Sequence, residues 1–202
     1  MSSITATITP ELIQGSLTYT QYRSFINDLL AHGKTTGDNH SEAMINYTKM
    51  NVRRMDRWDK TAVVSSELQE KMAQIDVAQT WLVLTEAWCG DAAQSIPFMV
   101  KAASYSPLVD IRFILRDEHP AVMDAYLTNG GRSIPKLIAL TNDKLEELFT
   151  WGPRPQVLQQ QYLAYREDPK GVSQEDFIES IHLWYAKDKN ANIDAEFLTL
   201  IK

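Results

Sequence analysis

The sequence predicts an α/β fold: a central mixed sheet flanked by helices, with an N-terminal helical extension and a C-terminal helix. Three stretches carry that prediction. Residues 80–85 form a short apolar strand, residues 86–91 a turn, and residues 92–104 a helix whose apolar positions Ile96, Met99, Val100 and Ala103 fall at helical spacing. Residues 109–115 alternate and then turn apolar, and they follow at the spacing of a βαβ unit, so this strand is expected to run parallel to the first. Residues 136–140 and 145–151 read as two further strands, and the short Asn142-Asp143 turn between them requires an antiparallel pair.

From the N-terminus, residues 4–15 read as a lead-in. Residues 18–32 form a helix with Tyr22, Phe25, Ile26, Leu29 and Leu30 on one stripe. The stretch 33–39, with Gly33 and Gly37 among short polar residues, breaks it; Gly33-Lys34-Thr35 lacks the preceding strand and glycine spacing of a phosphate-binding loop and reads as a plain loop. Residues 41–60 form a helix after the N-cap Ser41, with Met44, Tyr47, Met55 and Trp58 on one stripe and Lys49, Arg53, Arg57 and Lys60 on another. The basic stripe can receive an anion or an acidic partner, and a solvated face is the commoner explanation. Residues 65–75 add a short helix. After the second strand, His119-Pro120 opens a helix over 121–127, ended by Asn129-Gly130-Gly131, and residues 156–166 form a covering helix. Residues 173–187 read as a docking helix with Phe177, Ile178, Ile181, Trp184 and Tyr185 inward, and 190–202 as a tail whose end packs on something. The expected organisation is an extension over 1–76, a core over 77–168 and a C-terminal helix and tail over 169–202.

Composition narrows the function classes. A chain of 202 residues with 44% hydrophobic residues can bury a substantial core. A net charge of −6 argues against general nucleic-acid binding. Residues 1–20 lack a signal-peptide pattern and no apolar run approaches a membrane span, so no membrane partner and a cytoplasmic location are expected. The single cysteine rules out an internal disulfide framework. The four histidines, at 32, 40, 119 and 182, have no metal-ligand spacing, so neither a metal nor a cofactor is expected.

That cysteine, Cys89, sits where the first turn meets its helix. Unpaired N–H groups and the positive end of the helix dipole favour thiolate there, while Asp91 in the same first turn opposes it by repelling a nearby anion. Strand direction adds Arg116: parallel neighbours end on one sheet edge, which brings residues 116–118 beside Cys89. Arg116 then serves as a thiolate stabiliser or carboxylate clamp, or as the partner of Asp117 or Glu118. No buried acid is evident near Val83 to carry a proton.

Trp88-Cys89-Gly90, with a strand before it and Pro97 eight positions after the cysteine, resembles the active site of the thioredoxin-like family. The family motif is Trp-Cys-Gly-Pro-Cys; here Asp91 stands in place of the proline and Ala92 in place of the second cysteine. The attacking sulfur is kept and the resolving one is lost. The resemblance spans roughly residues 80–166 and implies a thioredoxin-like fold, with Pro135 cis against Cys89 and the backbone of Ile134 free to pair with an extended ligand. Together with the segments around Arg116, Arg132 and Trp151 it is similar to a bacterial branch of thioredoxin-like proteins. Two functions are implied. One is a monothiol oxidoreductase, with Cys89 as nucleophile, lined by Trp88, Gly90, Asp91, Ala92, Ile134, Pro135, Arg116 and Arg132, acting on a protein disulfide or a low-molecular-weight thiol such as glutathione. The other is a non-redox binding or scaffold protein using the groove beside Pro135. On the first reading Arg116 and Arg132 make the Cys89 edge positive and lower the thiol's pKa.

Overall fold

A computed structural model describes residues 7–202. The first six residues, which hold the start of the lead-in and of the stretch read for a signal peptide, lie outside the described residues. In chain order the elements are α1 (Pro10–Gly15), α2 (Tyr19–Ala31), α3 (Glu42–Thr61), α4 (Ser66–Ala73), β1 (Gln79–Thr85), α5 (Gly90–Ala103), β2 (Val109–Leu115), α6 (Pro120–Ala125), β3 (Lys136–Thr141), β4 (Glu147–Trp151), α7 (Gln156–Glu167), α8 (Gln174–Asp188) and α9 (Ala191–Leu200).

The sheet order is β2-β1-β3-β4. β1 and β2 run parallel, pairing Leu82 with Arg112, while β1–β3 and β3–β4 are antiparallel. β1 is buried along its whole length because helices cover both of its faces, which is why its sequence is a continuous apolar run rather than an alternation. β4 starts at Glu147, later than the expected 145, because Leu145 takes a left-handed backbone (φ 54°) in the turn.

One core joins the sheet to the N-terminal helices. Tyr22 of α2 stacks on Phe113 of β2 with ring centroids 5.4 Å apart, and its hydroxyl meets Thr85 Oγ1 at 3.3 Å. Trp58 of α3 donates from Nε1 to Gln94 Oε1 of α5 at 2.6 Å, a bond that lets an indole be buried with its polar atom satisfied. Met55, Leu68 and Met72 enter the same core.

The expected C-terminal tail is a helix. Residues 191–200 form α9, which buries Ile193 and Phe197 and is pinned by two acids: Asp194 accepts from Ser65 N (2.8 Å) and Oγ (2.6 Å) at the start of α4, and Glu196 accepts from Trp151 Nε1 and Gln156 N, each at 2.6 Å. Apolar residues crowded into the chain's last turns hid its helical stripe from sequence reading. Phe197 is fully buried and meets Trp81, Phe98, Phe149 and Trp151 edge-on, at centroid distances of 5.6 to 6.4 Å. Phe197→Ala should therefore cost about 3–5 kcal/mol in urea unfolding, whereas Leu183→Ala on the exposed face of α8 should stay within about 0.5 kcal/mol. A Phe197→Ala loss below about 1 kcal/mol would mean that α9 is not part of the core.

Candidate functional site

Four segments build the surroundings of Cys89. The turn 86–89 joins β1 to α5 and is fastened from outside: Asn51 of α3 donates to Ala87 O at 2.9 Å, and Thr36 Oγ1 accepts from Ala87 N at 2.9 Å. The loop 33–39 is thus structural, with Thr35 and Thr36 buried beneath the turn. Cys89 holds the N-cap position of α5. The Ile134–Pro135 bond is cis, and Ile134 O lies 3.3 Å from Cys89 Sγ, placed to accept the thiol proton. Gly152 backs this arrangement: at φ 113° a Cβ there would come 2.1 Å from Pro135 O, so only glycine lets the β4–α7 loop approach so closely. The Gly152–Pro153 bond is also cis.

The structure corrects three expectations about Cys89. The thiol is only 9% exposed, so it is a wall of the site rather than an open nucleophile. The Ile134 carbonyl, expected to be free, is taken by that thiol. Burial, with the Asp91 carboxylate second, pushes the thiol up to about 12; the N–H groups of Ala92 and Asp91 and the Arg154 charge pull the other way without prevailing. The helix dipole favours a thiolate only where solvent or a cation completes its solvation, and here desolvation is larger.

The two arginines expected to offset this are engaged elsewhere. Arg116 pairs with Asp117 at 2.8 Å and lies over the Trp88 ring, 4.8 Å from its centroid. Arg132 pairs with Asp124 at 2.6 Å and is half exposed. Both line the cavity near Cys89, and neither is among the leading causes of the shift of its thiol.

The cation that does act is Arg154, in the loop after β4, which no motif in the sequence singles out. It pairs with Asp91 at 2.7 Å, both side chains being 12% exposed, and stacks on Tyr162 at 4.0 Å. Tyr185 of α8 donates its hydroxyl to Asp91 Oδ1 at 2.9 Å. His182, one turn earlier on α8, has no metal-ligand spacing in the sequence, yet the fold brings it to the site. It sits against Gly90, where a Cβ would come 2.6 Å from its Cε1, and its Nδ1 is 3.2 Å from Gln94 Nε2. Burial, and then the Arg54 charge, push His182 down to about 4, so it is neutral at pH 7. A buried acid also exists: Glu86, at the end of β1, is fully enclosed, and burial raises its pKa. Its Oε1 accepts from Asp117 N at 3.0 Å and the nearby Thr36 hydroxyl favours its charged form, while Oε2 meets no donor at full hydrogen-bond geometry among the described residues. The sequence does not mark Glu86 as buried, because a glutamate beside a turn reads as surface.

These segments line an open-mouthed cavity of about 730 Å³ reaching Cys89, walled by α3, the 132–134 segment, α7 and α8. Among the described residues no group of three histidine, cysteine or acidic side chains is placed to hold a metal, and no helix is long and apolar enough to cross a membrane.

A family model described as Thioredoxin matches residues 37–169. The chain belongs to the thioredoxin family. The match starts well before the strand where the sequence resemblance began and takes in α3 and α4 as well as the sheet. Two solved structures show the same fold. A protein of unknown function from Pseudomonas aeruginosa is 16% identical with a TM-score of 0.55, covering 92% of this chain and 97% of that one. An HIV epitope-scaffold is 15% identical with a TM-score of 0.54, covering 92% and 98%. No curated protein matches the chain.

Two measurements test the electrostatics of the site. Iodoacetamide alkylation against pH should give a Cys89 that reacts slowly at pH 8. Asp91→Asn should lower its apparent pKa, speeding alkylation about tenfold; Arg154→Gln should slow it, and Arg116→Ala and Arg132→Ala should leave it unchanged. If the last two variants raise the pKa, the pairings above do not hold in solution. The second measurement concerns His182. With its folded pKa depressed from 6.5 to about 4, the unfolded chain takes up the proton first, so stability is lost as pH falls from 6.5 towards 4. In urea unfolding at pH 7 and pH 5, the parent should lose about 1–2 kcal/mol more than His182→Gln, allowing for solvent screening; equal losses would place His182 in water.

Proposed function

We propose that this thioredoxin-family chain is a binding protein whose cavity beside Cys89 and Pro135 holds a small ligand, with the thiol protonated at rest. One observation carries the reading: a single thiol, hydrogen-bonded to Ile134 O and pushed up to about 12, forms part of the wall of a cavity of about 730 Å³. With the pKa raised by burial the thiol stays protonated at pH 7, which leaves little nucleophile for exchange. The cavity lies in the size range of small-molecule sites. A reducing, cytoplasmic setting, where a lone thiol stays reduced, belongs to this reading.

The orientation of Sγ favours a second reading, monothiol exchange. The sulfur faces the cavity at the first turn of α5, where the Ala92 and Asp91 N–H groups stabilise negative charge on it. In that chemistry Cys89 gives its proton to solvent, its thiolate attacks one sulfur of a disulfide R–S–S–R′, the Cys89–S–S–R bond forms and R′–S⁻ leaves. An external thiol such as glutathione then attacks the mixed disulfide, restores the Cys89 thiolate and departs as the new disulfide. The partners on this reading are a protein disulfide or a low-molecular-weight thiol.

Insulin reduction with thioredoxin reductase, and exchange with glutathione disulfide, separate the two. Ala92 supplies no resolving sulfur, so insulin turnover should be absent on either reading. The binding reading expects no glutathione exchange above the Cys89→Ser background, and unchanged affinity of Cys89→Ser for fragments that saturation-transfer NMR places in the cavity. Exchange lost in Cys89→Ser would replace it by the monothiol mechanism.

A further inference from the structure

We propose that the cavity beside Cys89 takes a small organic carboxylate with an apolar body, and that Arg54 of α3 is its anchor. This deepens the binding reading above and rests on it. Five guanidinium groups line the cavity. Three are matched by carboxylates: Arg116 by Asp117, Arg132 by Asp124 and Arg154 by Asp91. A fourth, Arg166, is exposed on α7, where water compensates its charge.

Arg54 is different. It is half-buried and has no carboxylate within ion-pair distance among the described residues. Its Nη1 donates to Asn51 Oδ1 at 2.7 Å, and its other N–H groups make no hydrogen bond among the described residues. Burial and the neighbouring Arg57 charge both act against its protonated form, with only Asp91 assisting it. A partly desolvated cation without a counter-ion is costly, and a ligand anion relieves that cost on binding.

Its position suits this role. Asn51 holds the Cys89 turn through Ala87 O and orients Arg54 with its other amide atom, so the guanidinium is fixed relative to the turn. Nη1 lies 3.7 Å from where a Cβ on Gly90 would be, next to the residue after Cys89. The free edge of the guanidinium can meet both oxygens of a carboxylate. One uncompensated guanidinium balances one negative charge; a phosphate dianion would bring a second charge towards Asp91. Tyr162, Phe177, Ile178 and Ile181 supply an apolar wall for the body of the ligand.

Isothermal titration calorimetry on the full chain tests this with three probes: naphthalene-2-carboxylate, its neutral amide and inorganic phosphate. The carboxylate should bind the parent, lose about tenfold or more in affinity in Arg54→Gln, and lose less in Arg54→Lys. The amide should bind at least about tenfold more weakly than the carboxylate and be indifferent to Arg54→Gln. Thermal unfolding reports whether Arg54→Gln is folded; if it is not, the Arg54→Lys affinity and the carboxylate–amide comparison on the parent decide. Equal binding of carboxylate and amide would overturn the anchor and leave the cavity as a ligand site. Carboxylate binding unaffected by Arg54→Gln would do the same. Phosphate binding in place of the carboxylate would overturn the ligand class, and absence of binding by all three probes would remove both the carboxylate proposal and the binding reading.

Discussion

The buried ion pair between Asp91 and Arg154 governs how this site is put together. Its members come from the first turn of α5 and the loop after β4, and Tyr185 of α8 completes it with a hydrogen bond to the same carboxylate. Three segments far apart in sequence are thereby held around one point beside the thiol. Burying two charges costs several kcal/mol each, and their attraction offsets this only with good geometry and further hydrogen bonds. Tyr185 and the stacking of Arg154 on Tyr162 supply those contacts. Because a half-removed pair strands a charge, the three segments are fixed together or not at all.

The same pair accounts for the resting state of Cys89. The Asp91 carboxylate in the first turn of α5 acts against a thiolate, while the Arg154 charge beside it and the N–H groups of that turn act for one. Burial, the largest effect, decides the balance in favour of the thiol. A helix N-terminus therefore lowers a cysteine's pKa here only in principle. What decides is the balance between dipole, neighbouring charge and desolvation, and the last of these depends on α7 and α8 closing over the turn.

Much of the sheet was legible because strand periodicity and loop length are local properties. The run around Leu82 and Val83, the βαβ spacing to Phe113 and the short Asn142-Asp143 turn indicate the parallel β1–β2 pair and the antiparallel β3–β4 pair seen in the structure, whereas the antiparallel pairing of β1 with β3, which sets the sheet order, has no local signal. The neighbourhood of Cys89 and Ile134 followed from family resemblance rather than from periodicity. Arg154, Tyr185, His182 and Arg54 were not legible, since they reach the site through packing of α3, α7 and α8, and no local pattern marks which face of a helix meets a turn more than thirty residues away. Arg116 and Arg132 misled for a related reason. Strand direction places a side chain on an edge correctly, but its nearest acid, Asp117 or Asp124, decides what its charge is used for.

Closure of the groove follows from these placements. In an open groove beside a proline of this kind, an extended peptide can pair with the backbone at the strand end. Here the Ile134 carbonyl accepts from Cys89, and His182 and Ile181 of α8 stand across the turn that such a peptide would follow. Tyr162 and Phe177 face each other with centroids 6.2 Å apart and continue that wall onto α7. The groove becomes a cavity bounded by side chains, in which backbone pairing contributes little and charge and apolar contact contribute most. Under the proposed reading, selection then falls on what fits between Arg54 and the apolar wall, a demand that a compact carboxylate meets and an extended polypeptide segment does not.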